Sequence, residues 1–135
     1  MRLSRPASIS RPEPEAGAFD PLAHIAPSVA GDDGFRHWWE GMGRRAASPA
    51  TAAAIHEVVH AADVRDVVGR VAVPTLVLHR RSCASCDIGH ARWLAAHLPD
   101  ARLAVVPGAD ELWFTGDTGP LLAALDAFEA TLPAA

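Results

Sequence analysis

Residues 71–79 read "VAVPTLVLH", a nearly unbroken apolar run rich in Val and Leu and followed by two arginines. A run of this kind suits a strand buried on both faces, as in a parallel sheet covered by helices. Pro74 falls near its start, where a strand tolerates a residue with no N–H. A second run, "ARLAVVPG" from Ala101, has the same character and ends in proline and glycine. Between them "IGHARWLAAHL" sets Ile88, Ala91, Leu94, Ala95 and Leu98 on one helical face. Parallel strands need a crossover, and a helix of this length supplies one. The expected class is therefore α/β.

The rest of the chain reads as helices around this unit. Asp32 and Asp33 offer an N-cap to "FRHWWEGMGRR", in which Phe35, Trp38, Trp39 and Met42 recur at helical spacing. Ser48 and Pro49 cap and open "ATAAAIHEVVHAA". Asp63 caps a short turn, "VRDVVGR", and Asp117 is expected to cap a last helix, "TGPLLAALDAFEATL". Residues 1–17, rich in Pro, Ser, Arg and Glu, bury too little to repay their ordering and are expected to be a disordered leader. Residues 18–62 would then form helices and residues 63–135 two strand–helix units. Two strands make a thin sheet with open edges, so the chain reads as part of a larger fold.

Three segments in order carry a resemblance. "DVRDVVGRVAVPTLVLHR", then "GHARWLAAHLPDARLAVVPGADELWFTGD", then the amphipathic last helix resemble the C-terminal portion of α/β-hydrolases. The likeness is greatest to a bacterial subgroup often joined to adenylate cyclase or helix-turn-helix regulatory modules. "FRHWWEGMGRRAASP" resembles the cap-region helix of that subgroup, so the likeness covers roughly residues 17–132. It implies a partial α/β-hydrolase fold, a C-terminal lobe of two parallel strands with packed helices and part of the cap. "TLVLHR" would be the penultimate strand of the hydrolase sheet and "RLAVV" the last.

The same resemblance predicts a catalytic acid after the first strand, in a pattern like "HRxGDxxVP", and a histidine after the second, as in "GxDHxxxxGD". Cys83 stands at the acid position and Glu111 at the histidine position. No G-x-S-x-G turn, which would carry the nucleophile, occurs in the sequence. A carboxylate does not relay a proton near neutral pH as imidazole does unless its pKa is raised. Asp87 is a conceivable displaced acid, but it has no base to serve. A truncated or degenerate homologue, non-catalytic by itself, is the expected function. The surviving wall of a small-molecule pocket would comprise Trp38, Trp39, Cys83, Glu111 and Trp113, suiting a binding or regulatory role. The alternative is an ester- or epoxide-type hydrolase completed by an N-terminal half.

The stretch "HRRSCASCDIGH" permits three readings. His79, Cys83, Cys86 and His90 could converge as a tetrahedral zinc site, since Cys-x-x-Cys on a turn is a good half-site. A strand, Cys-x-x-Cys and helix in succession also match a thioredoxin-like redox pair. The third reading, which the surrounding likeness favours, is a loop that drifted once its acid was no longer needed, leaving two inert thiols. His56 and His60, four apart on a helix, have metal-ligand spacing but no third ligand nearby in sequence. They read as a polar helix face. Arg80 and Arg81 read as solvated charges at a strand end.

Composition removes other classes. The net charge is −4, against a nucleic-acid surface, and no apolar run approaches the about 18 residues that span a bilayer. The start has arginines but no apolar core after them, so it is no secretory signal. A cytoplasmic location with reduced thiols follows. All twelve basic residues are Arg, and Lys, Asn, Gln and Tyr are absent, a G+C-rich coding bias that suits a bacterial origin. No cofactor is expected. The open strand edge predicts a homodimer or an N-terminal partner chain.

Overall fold

In a computed structural model, residues 19–133 are described, so the expected leader at residues 1–17 lies outside the described residues. Asp20 caps the first helix, α1 (Pro21–Ile25), its carboxylate accepting from the N–H of Leu22 at 3.0 Å and of Ala23 at 3.3 Å. Arg36 forks onto the same carboxylate at 2.7 and 3.2 Å, which ties α1 to α2 (Asp33–Ala46). Asp32 caps α2 through the N–H of Phe35, and Ser48 caps α3 (Pro49–Ala61) through that of Thr51. Both caps stand where the sequence put them, because each supplies an acceptor to an orphan donor of the first turn.

After the short α4 (Arg65–Val68) the chain enters β1 (Thr75–Arg80), crosses through α5 (Ile88–His97) and returns as β2 (Ala101–Val106). The two strands pair in parallel from Thr75 opposite Ala101 to Arg80 opposite Val106. Helix α6 (Gly119–Glu129) follows, and both α5 and α6 pack on the strand pair. The architecture is α/β, in agreement with a partial α/β-hydrolase lobe. Leu22, Ala26, Val68, Ala91, Val106 and Leu121 form the buried core.

Three expectations change. The strand begins at Thr75, directly after Pro74, and not at Val71. It is only half-buried over Thr75–Leu78, because one strand neighbour and two helices do not cover both faces and the outer edge. Asp117 does accept from the N–H of Gly119 at 3.0 Å, but Thr118 holds the N-cap position of α6 without a side-chain bond. Helix α3 buries none of its residues, and Ile55, Val58 and Val59 stand in the open. No described helix is long and apolar enough to cross a membrane.

Candidate functional site

A cleft of about 460 Å³ opens at the carboxyl ends of β1 and β2. Crevices at that end of a parallel sheet are where ligands of open α/β folds bind, and the volume lies within the range of small-molecule pockets. Its floor and sides are apolar: Leu78 from β1, Val106 from β2, and Leu121 and Leu125 from α6. Its polar rim comes from the two loops that leave the strands. The loop after β1 contributes Cys83 and Cys86, the loop after β2 contributes Glu111 and Trp113, and His79 and Arg80 reach it from the end of β1.

The loops are held by a buried ion pair. Arg80 and Asp110 have side chains only 5% and 3% exposed, and the Nη1–H of Arg80 donates to Asp110 Oδ2 at 3.1 Å. Ser28, far away in sequence, donates its N–H to Asp110 Oδ1 at 3.0 Å and its hydroxyl to Oδ2 at 2.6 Å. Arg80 Nη2–H donates to the Trp113 carbonyl at 3.1 Å, which pins the second loop to the end of the first strand. Burial pushes the Asp110 carboxyl up, but the bonds from Ser28 and the charge of Arg80, with a smaller contribution from the nearby Thr115 hydroxyl, hold it below the usual carboxylate value. Two glycines allow the approach. At Gly108 (φ +117°) a Cβ would come within 3.0 Å of Arg80 Cδ. At Gly116 (φ +66°) a Cβ would overlap Asp110 Oδ2.

This network is the part that sequence reasoning missed. The sequence suggests a solvated strand-end charge at Arg80, whereas it is one of the most buried side chains described. The local signal was available in two glycines flanking an Asp, "GADELWFTG", but the partner Ser28 carries no local signature at all. Arg80 Nε is buried without a hydrogen-bond partner among the described residues, and a buried donor left unmatched typically costs about 1–3 kcal/mol.

Of the five residues expected to line a pocket, the fold brings together Cys83, Glu111 and Trp113. Trp38 and Trp39 do not line the cleft. They belong to an adjoining aromatic cluster in which Trp38 meets Phe114 edge-on at 6.4 Å, and Phe114 in turn meets Trp113 at 5.5 Å. Within α2 Trp38 also meets Phe35 at 5.3 Å and Trp39 at 6.5 Å.

The four-residue metal constellation is not assembled. His79, Cys83 and Cys86 line the cleft, but His90 faces a different hollow, shared with His60, Asp63 and Asp87. Among the described residues no group of three or more His, Cys, Asp and Glu side chains is placed to hold a metal ion. His56 and His60 stack on each other at 3.9 Å, with His60 Nδ1 2.9 Å from the His56 carbonyl. Both cysteines are free thiols. Cys83 Sγ lies 3.2 Å from Ser85 Oγ, and the Cys86 pKa is raised by burial, then by the charges of Cys83, Glu111 and Asp87. A redox pair of the thioredoxin kind calls for a depressed thiol at the helix N-terminus. Here Asp87 caps that terminus, accepting from Gly89 N–H at 2.6 Å.

The elements thus define an α/β strand-end cleft with a thiol and a carboxylate on its rim. Over 60 residues the chain is 35% identical to a pimeloyl-[acyl-carrier protein] methyl ester esterase of Nitrosomonas europaea, a match covering 44% of this chain and 24% of that relative's length. No family model and no solved structure matches the chain.

Proposed function

We propose that this chain is a degenerate α/β-hydrolase-type lobe that binds a small apolar molecule in the strand-end cleft without hydrolysing it. The observation that carries the reading is the meeting of Cys83 and Glu111 on one cleft rim. By the resemblance of the two loops to the hydrolase pattern, these would be the positions of the catalytic acid and histidine. A thiol and a carboxylate there leave the cleft its shape and remove its proton relay. The esterase relative supports a hydrolase-type ancestry, and the apolar walls support retention of a ligand.

Nuclear magnetic resonance tests it directly. Phenylalkyl and alkyl compounds are titrated into isotopically labelled protein while the Trp113 indole N–H, assigned with Trp113→Phe, is followed. Saturable shifts at Trp113 together with no release of nitrophenol from nitrophenyl esters are expected. Ester turnover by the purified protein would overturn the non-catalytic reading, and an unresponsive Trp113 would overturn the binding one.

A second reading is favoured by one feature, the outer edge of β1, which has no strand partner among the described residues. On that reading another polypeptide segment supplies the neighbouring strands, the serine turn and the oxyanion hole. A fluorophosphonate probe labelling a serine in the native complex would support it.

A further inference from the structure

The ion pairs of the cleft leave one charge over. Arg80 and Asp110 both line the cleft, but they neutralise each other at 3.1 Å and their side chains are only 5% and 3% exposed. The unpaired Nε of Arg80 has almost no exposed surface, so it offers a cleft ligand no accessible donor. The raised pKa of Cys86 keeps that thiol neutral at pH 7. Glu111 is exposed at the rim and has no ion-pair partner among the described residues. Beside it Trp113 presents a side chain that is 64% exposed. The remaining lining is apolar apart from His79 and Cys83.

We propose that the cleft selects amphipathic amines, molecules with an apolar body and a protonated ammonium head. This rests on the binding reading above and names its ligand class. The body would lie against Leu78, Val106 and Leu125, and the head would sit between the Glu111 carboxylate and the Trp113 ring. A carboxylate attracts an ammonium, and an indole face attracts the same cation through its ring quadrupole. Both groups repel a carboxylate head. An anionic acyl ligand meets an uncompensated negative charge and no available cation, since the one guanidinium present is already bonded to Asp110 and the Trp113 carbonyl. Replacing a hydrolase histidine by glutamate at this rim therefore changes the preferred head group as well as removing the base.

The test uses three probes with one tail: 3-phenylpropylammonium, 3-phenylpropanol and 3-phenylpropanoate, each titrated against the Trp113 indole signal at pH 7. The ammonium is expected to bind tightest, exceeding the alcohol by roughly two- to fivefold, the scale of an exposed charge pair, with the carboxylate weakest. The advantage should vanish in Glu111→Gln and shrink at high salt. Equal or tighter binding of the carboxylate, or an unchanged order in Glu111→Gln, overturns the amine assignment while leaving the binding cleft intact. No response to any of the three overturns both.

Discussion

Replacing Asp110 by Asn tests the frame on which the cleft hangs. The carboxylate accepts three hydrogen bonds, two from Ser28 and one from Arg80, and sits 3% exposed. Asparagine retains one acceptor oxygen, which the Ser28 N–H can still use. Its amide group then faces Arg80 Nη1, where donor meets donor, and the guanidinium is left buried with no counter-charge. Removing one partner of a buried pair in this way costs about 3–5 kcal/mol. With a urea slope of about 1.5 kcal/mol per M, the midpoint should fall by about 2–3 M. Ser28→Ala provides a milder control, losing one charge-assisted bond worth about 1.5–3 kcal/mol while keeping the ion pair.

The pH dependence carries the same prediction with an independent readout. A carboxyl whose folded pKa lies below its unfolded value contributes stability that is complete well above the unfolded value of 3.8 and is lost as pH falls through the folded pKa. Wild-type stability should therefore fall steeply below about pH 4, and Asp110→Asn should flatten that fall. Some slope will persist, since Arg36 lowers the Asp20 pKa and Arg65 lowers that of Asp63 to about 2. Urea melts followed by circular dichroism at pH 7 and pH 3.5 measure both effects. A midpoint shift under about 0.5 M at pH 7 would refute the assignment of the pair as the anchor of the two loops.

Gly116→Ala should destabilise by more than about 2 kcal/mol in the same melts, because alanine at positive φ is strained and its Cβ displaces the Asp110 carboxylate. Gly43→Ala, with nothing near its Cβ, is the control and should be neutral or stabilising. Ser48→Ala should cost α3 about 1 kcal/mol of local stability, visible as faster amide exchange across Pro49–Ala61. The global urea midpoint should barely move, since that helix buries nothing. Protein purified without a metal-affinity step should contain no stoichiometric zinc by elemental analysis, because His90 lines a different hollow from Cys83 and Cys86 and no metal-holding group is assembled among the described residues.

What the sequence revealed was local. The caps at Asp32 and Ser48 were legible because a capping side chain reaches a donor only two or three residues on. The α5 crossover was legible from its apolar period, and the parallel pairing followed from the need to cross over. Burial was not legible in the same way. "TLVLH" has the composition of a central strand, yet how far it is covered depends on neighbours that the run itself does not encode. Arg80 shows the opposite failure. Next to Arg81 it looks like one of two surface charges, but Arg80 is the last residue of β1 and meets a carboxylate thirty residues on, while Arg81 opens the exposed turn that follows. Trp38 and Trp39 are expected at the pocket only through the likeness of their helix to a hydrolase cap, and nothing in their spacing tells a pocket wall from the aromatic cluster they form with Phe114.

The loop architecture separates holding from chemistry, and this bears on how a site of this kind changes use. Arg80 stands three residues before Cys83, and Asp110 one residue before Glu111. The side chains of Arg80 and Asp110 tie the two loops together, while those of Cys83 and Glu111 line the cleft. On the proposed reading, substitutions at 83 and 111 alter head-group preference and proton transfer without disturbing the ion pair, Ser28 or the two glycines. The exposure of Glu111 agrees with this, for a rim carboxylate in water brings little desolvation cost. Glu111→His should accordingly be tolerated, with a urea midpoint within about 0.3 M of wild type. If that exchange unfolds the chain, position 111 is part of the frame, and the proposed division between holding and head-group choice fails.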